Sequence, residues 1–185
     1  MSTIATYIRD AAYNRLLTIA PWKSTRRTPI PTLQADMLPA LGVFLLRETM
    51  NPDGDSNNGP PRYISDAVIA FTVTAASSTP DVLDTDVDAL VDLIEDTLLC
   101  DGTFIDLRDA ENKPILDSIP TISRTFNFPR DGETYFLECR VQMTFRFYCY
   151  FAPRTPNLLR KVSVDVRPFN DPVTVADKFE IDLTG

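Results

Sequence analysis

Carboxylates in regular spacing are the first residues here that could do chemistry. Asp84-Thr-Asp-Val-Asp-Ala-Leu-Val-Asp-Leu-Ile-Glu95 puts acids at the first, third, fifth, ninth and twelfth positions of a calcium-loop pattern. Such a loop must turn sharply at its sixth residue, which here is Ala89 and not glycine. The same residues carry an apolar stripe at helical spacing, and a helix splays carboxylates apart. The reading is therefore a solvated acidic helix face favoured by the dipole at its N-terminal end. Asp53, Asp55 and Asn57 open a second calcium-like run, but Ile64 at its twelfth position offers no carboxylate. A polar loop tip is the better description. Glu138 with Asp81 or Asp84 would make an acid/base pair only if the fold brought them into one cleft, and nothing in their spacing does so.

Other chemistries are closed by what the chain lacks. It contains no histidine, which removes Ser-His-Asp and Cys-His nucleophile activation and most zinc sites. Neither GxxxxGK[ST] nor GxGxxG occurs, and only six glycines are available to cradle a phosphate. Cys100, Cys139 and Cys149 show no CxxC spacing, and ten residues along one strand would separate the last two by roughly 33 Å. They read as reduced, buried small hydrophobes in an intracellular protein. Arg140 and Arg146 alternate with Glu138 and Gln142, a mixed polar surface more than a phosphate grip. No catalytic residue, metal site or cofactor is expected, and the chain reads as a non-enzyme.

The elements that would carry these residues follow from periodicity. Ile4, Ile8, Ala11, Ala12, Leu16 and Ile19 recur at helical spacing behind a cap at Ser2 or Thr3, and Pro21 ends the pattern. Pro21, Pro29, Pro31 and Pro39 make an irregular connection of the next stretch, which holds the basic patch Lys23, Arg26 and Arg27. Ala40 to Glu48 and Arg62 to Ala75 are rich in strand formers around a polar tip, Asn51 to Gly59, and read as a long hairpin. Ser78, Thr79 and Asp81 offer caps for a helix striped by Leu83, Val87, Leu90, Val91, Ile94 and Leu98, stopped at Gly102.

Phe104 to Leu107 and Ile115-Leu116 are expected as short strands around a turn at Glu111 to Pro114. Asp131-Gly132 is a hairpin signal between Pro120 to Phe128 and Glu133 to Tyr150. The second arm of that hairpin alternates strictly. Tyr135, Leu137, Cys139, Val141, Met143, Phe145, Phe147 and Cys149 share one face, and Glu138, Arg140, Gln142, Thr144 and Arg146 the other. The fold class expected is α+β: a mixed, mainly antiparallel sheet with two helices packed on one face, a long hairpin, and an extended C-terminal arm. The domain is expected over residues 1–153 and the arm over 154–185.

Composition agrees with a folded chain and narrows its partners. At 185 residues, 44% hydrophobic and 24% charged, there is enough apolar material for one core. No run approaches the roughly 18 apolar residues of a membrane span, and no signal pattern opens the chain. A formal charge of −8 opposes tight binding of nucleic acid, although an acidic wall can face DNA without holding it.

The order of elements resembles that of bacteriophage tail terminator proteins, of the lambda-like kind. The residues that carry the likeness are Leu38-Pro-Ala-Leu-Gly-Val-Phe44 after the first helix, Thr72-Val-Thr-Ala75 closing a strand, and Val87 to Leu98 with Ile94-Glu-Asp-Thr-Leu98. Gly132-Glu to Met143-Thr-Phe-Arg-Phe147, closed by Ala152-Pro153, completes it, over roughly residues 3 to 153. The resemblance includes no catalytic motif and transfers no functional residue. It implies a virion structural protein that closes into a ring, commonly of six, ends tail elongation on the tube, and offers a surface for head joining. The implied partners are other copies of itself, the tail tube protein, the head-tail connector protein, and DNA crossing the channel without sequence-specific contacts. No membrane is involved, and the protein would be assembled into the tail or neck of the virion in the host cytoplasm.

The surfaces expected to meet a neighbour or the tube are Arg140, Gln142 and Arg146 on the polar strand face, Asp53, Asp55 and Asn57 at the hairpin tip, and Val162, Val164 and Val166 in the arm. Another neck or connector component, a tail tube subunit and a monomeric acidic binding module are the rival readings, separated by oligomeric state.

Overall fold

The computed structural model describes residues 3–28, 34–54, 61–77, 79–128, 130–131, 134–151, 161–166 and 177–182. The chain divides into two compact units, Met1–Phe151 and Ala152–Gly185.

In the first unit, helix α1 (Ile4–Leu16) begins where the Thr3 hydroxyl accepts a hydrogen bond from the Thr6 amide, satisfying one of the first turn's unpaired donors. Its stripe Ala5, Ile8, Ala12 and Leu16 is fully buried. Strand β1 (Ser24–Arg26) then pairs parallel with β2 (Ala40–Pro52), which turns back antiparallel into β3 (Arg62–Ser77). Helix α2 (Pro80–Leu99) starts with proline in its first turn, where no amide bond is lost, and is followed by the short helix α3 (Gly102–Ile105). Strand β4 (Ser118–Asn127) and the two-residue β5 (Arg130–Asp131) both pair with the 17-residue β6 (Thr134–Tyr150). The strand order is β1-β2-β3-β6-β4, so the longest strands, β3 and β6, are central.

The fold is α+β, as the alternation of β6 demands. Leu137, Cys139, Val141, Met143, Phe145 and Phe147 are all at or below 1% exposure and pack with Ile69, Phe71, Val73, Leu83, Val87, Val91, Ile94 and Leu98. The sheet thus turns this face to α1 and α2, and Phe145 stacks edge-on against Phe71 and Phe104. Its opposite face has no helix among the described residues. No described helix is long and apolar enough to cross a membrane.

Several local expectations change. Lys23 to Arg27 is not wholly irregular, because Ser24–Arg26 adds a parallel edge strand to β2. Three residues with no apolar alternation leave no periodic signal. Gly102 does not stop α2: the helix ends at Leu99, and Gly102 opens α3 beneath Asp101, whose carboxylate accepts from the Thr103 amide at 2.8 Å. Phe104 and Ile105 are therefore helical, Phe104 is buried, and the expected strands reduce to one bridge between Arg108 and Pro114. Along β2 a bulge at Leu45 to Arg47 inserts one residue and shifts the register, so the apolar run does not stay on a single face.

The second unit contains β7 (Lys161–Val166) and β8 (Asp177–Asp182), paired antiparallel with Val164 opposite Phe179. The C-terminal segment expected as an extended arm thus holds a hairpin.

Candidate assembly interface

The helix-free sheet face is ordered in rows by the pairing register. Strand pairing sets Arg26, Gly42, Thr72, Arg140 and Thr125 in one row, and Ala40, Thr74, Glu138 and Asn127 in the next. Phe44, Ala70, Gln142 and Ser123 follow, and Asp66, Arg146 and Ser118 lie toward the far end. Side chains opposite one another on paired strands are neighbours, so each row is a contact line across the sheet.

The two ends of this face differ in chemistry. At one end Arg146 donates from Nε and an NH2 group to both oxygens of Asp66, at 2.8 and 2.9 Å. These bonds hold the Asp66 carboxyl below its ordinary value while burial pulls the other way, and the same pairing raises Arg146. The charge of Arg146, expected to meet acids across a subunit boundary, is thus matched inside the subunit. Arg140, the other expected arginine, has among the described residues a long 3.5 Å contact to Glu138 as its ion pair.

At the Arg140 end lies a trough of about 110 Å³ lined by Arg26, Thr28, Gly42, Phe44, Thr72, Thr74, Glu138 and Arg140, among others. Gly42 forms its floor: a Cβ there would come within 3.0 Å of the Phe44 ring. One terminal nitrogen of Arg26, the Thr72 hydroxyl and Nε of Arg140 are buried with no hydrogen-bond partner among the described residues. Buried groups are nearly always paired, so three unpaired groups on residues lining one trough single it out on this face. Arg26 had been legible only as part of a basic patch. Strand β1 splits that patch, since Arg27 instead reaches Asp10 and lies over the Tyr13 ring of α1, 4.6 Å from its centroid. Gln142 sits in the row beside the trough and half-buried, next to a shallow hollow it shares with Thr125, Phe126 and Arg140.

The edge of the sheet is a second feature. Strand β4 ends the strand order, nearly every residue from Ser118 to Asn127 is exposed, and among the described residues nothing pairs with its outer side. Pro120 and a register shift between Ser118 and Thr121 interrupt its ladder, both devices that protect an edge from indiscriminate pairing. Phe126 and Phe128 are nonetheless exposed beside it.

Other expected positions separate from this surface. Asp53 lies at the end of the β2–β3 hairpin, 4.0 Å from Arg62, while Asp55 and Asn57 lie outside the described residues. Val162, Val164 and Val166 lie on β7 in the second unit. The acids of Asp84 to Glu95 occur within one unbroken helix, and among the described residues no three His, Cys, Asp or Glu side chains converge on a metal position. Arg124 of β4 takes two of those acids, reaching Glu95 at 2.6 and 2.7 Å and Asp92 at 3.1 Å. Burial pushes the Cys139 thiol up to about 11, and Cys149 is raised for the same reason, so neither is a thiolate nucleophile near neutral pH. Cys100, expected to be buried with the other two, is instead exposed at the end of α2, and its bond to Asp96 raises it as well.

No family model and no curated protein sequence matches the chain. Among solved structures it is similar to a chain of the virion of a native gene transfer agent particle, with 12% identity and a TM-score of 0.27 over 75% of this chain and 93% of that one. A likeness that weak transfers neither architecture nor role.

Proposed function

We propose that this protein is a non-enzymatic virion structural component whose subunits join head to tail into a ring, commonly six, that caps a phage tail tube. The observation that carries the reading is the half-covered sheet: helices bury one face, while on the other half-buried Arg140 and Gln142 stand among buried Phe44, Ala70, Thr72 and Thr74. The sheet ends in a ten-residue strand whose outer side is unpaired among the described residues. A layer with one face and one edge unpartnered is completed by another copy or another protein. Repeating one such contact by rotation closes a ring. The resemblance in element order supplies the tube and the head-joining surface, and the charge of −8 suits a channel that DNA crosses without adhering. The absence of histidine in the chain fits a role with no reaction to catalyse.

Tube growth is the direct functional assay. Added to polymerising tail tube protein, this chain should arrest elongation and leave tubes with a ring at one end in negative-stain images. Tubes of unchanged length with bare ends would refute the capping role.

A further inference from the structure

We propose that the trough between Arg26 and Arg140 receives the acidic N-terminal half of helix α2, around Asp84 and Asp88, from a second copy of the chain. This rests on the ring reading and names the two surfaces that meet in it. Three polar groups of residues lining the trough have no partner among the described residues: a terminal Arg26 nitrogen, the Thr72 hydroxyl and Arg140 Nε. Each lies just beneath the surface, so a ligand meets them only as the two arginine side chains turn toward it. Two are cationic donors and the hydroxyl can donate, so the complementary ligand is an anion with several acceptor oxygens, as a carboxylate is. Arg26 and Arg140 stand three strands apart on one row, about 14 Å between backbones at the usual strand spacing, with the small Gly42 and Thr72 between them. That span is wide enough for side chains from one turn of a helix.

The chain carries the matching surface elsewhere. Asp84, Asp88, Asp92 and Glu95 recur along one side of α2 at three- and four-residue spacing. Arg124 of β4 neutralises Asp92 and Glu95, which places this stripe over the β4 edge of the sheet. Asp84 and Asp88 are exposed and form no ion pair among the described residues. Trough and stripe lie on opposite faces of one sheet, the trough across β1, β2, β3 and β6 and the stripe toward β4. They cannot meet within a subunit. Between subunits they form a contact of two different patches, the geometry that repeats head to tail. Each mating sets Arg26 and Arg140, the latter already 3.5 Å from Glu138, against two further carboxylates, which sets register and partner choice more than raw affinity.

Charge exchange tests the pairing. Arg26→Glu with Arg140→Glu gives one variant and Asp84→Arg with Asp88→Arg the other; each is checked for folding by circular dichroism and thermal melting. Sedimentation is then measured for each alone and for an equal mixture, in buffer and on tail tubes. Each variant alone should lose self-association by about tenfold or more, the scale of repulsion between like charges at an interface, and the mixture should recover it. If the arginine variant does not fold, Arg140→Glu alone against Asp88→Arg poses the same question. Rings formed by either variant alone would overturn the pairing and leave the ring reading standing. Loss of tube capping with self-association intact would overturn it too, by giving the trough to the tube protein. Rescue on mixing that yields open filaments would uphold the pairing and remove the closed ring.

Discussion

At the scale of single residues, the outer sheet face shows how one residue type serves two purposes. Arg146 and Arg140 occupy equivalent outward positions on β6, yet Arg146 is held by Asp66 through two bonds while Arg140 Nε has no partner among the described residues. The difference comes from the neighbouring strand: β3 sets Asp66 opposite Arg146 and Thr72 opposite Arg140. Sequence alternation alone shows both arginines on the polar face, and only the register tells which is satisfied. The Asp66 carboxyl, held below its ordinary value by Arg146, also gives a pH dependence. A depressed folded-state value contributes stability that is fully present above the unfolded value, roughly pH 4, and is lost as pH falls through the lower folded value. Replacing Asp66 by Asn should therefore lower the melting temperature at pH 6 and make little difference near pH 2. A penalty of equal size at both pH values would show that the ion pair is not its cause.

At the scale of elements, strong periodicity was legible and short or irregular pieces were not. The strict alternation from Tyr135 to Cys149 predicts both the strand and its buried face, and the stripe from Leu83 to Leu98 predicts α2. Strand β1 and helix α3 escaped because three or four residues hold too few repeats to show a period, and tertiary pairing decides them. Arg26 was missed as a site residue for that reason: without β1, nothing sets it in the row of Arg140. Core packing gives this scale its test. Phe145 is fully buried between Phe71 and Phe104, so Phe145→Ala removes a ring from a close-packed layer and should cost about 3–5 kcal/mol in denaturant unfolding. A loss under about 1 kcal/mol would place Phe145 outside the core.

At the scale of the whole molecule, assembly is the question, and the sequence could pose it without locating the surfaces. The one-sided burial of β6 already implied an uncovered polar face, but the trough exists only because β1, β2, β3 and β6 align Arg26, Gly42, Thr72 and Arg140. The hairpin tip and the C-terminal segment were nominated from turn residues and alternating valines, patterns that carry no information on what they touch. Mass photometry of the purified chain, alone and with tail tubes, tests the central claim most directly. A closed ring of six 20.8 kDa subunits predicts a species near 6 × 20.8, about 125 kDa, free or bound at tube ends. A single species at 20.8 kDa under both conditions would contradict the account and make the protein a monomeric binding module.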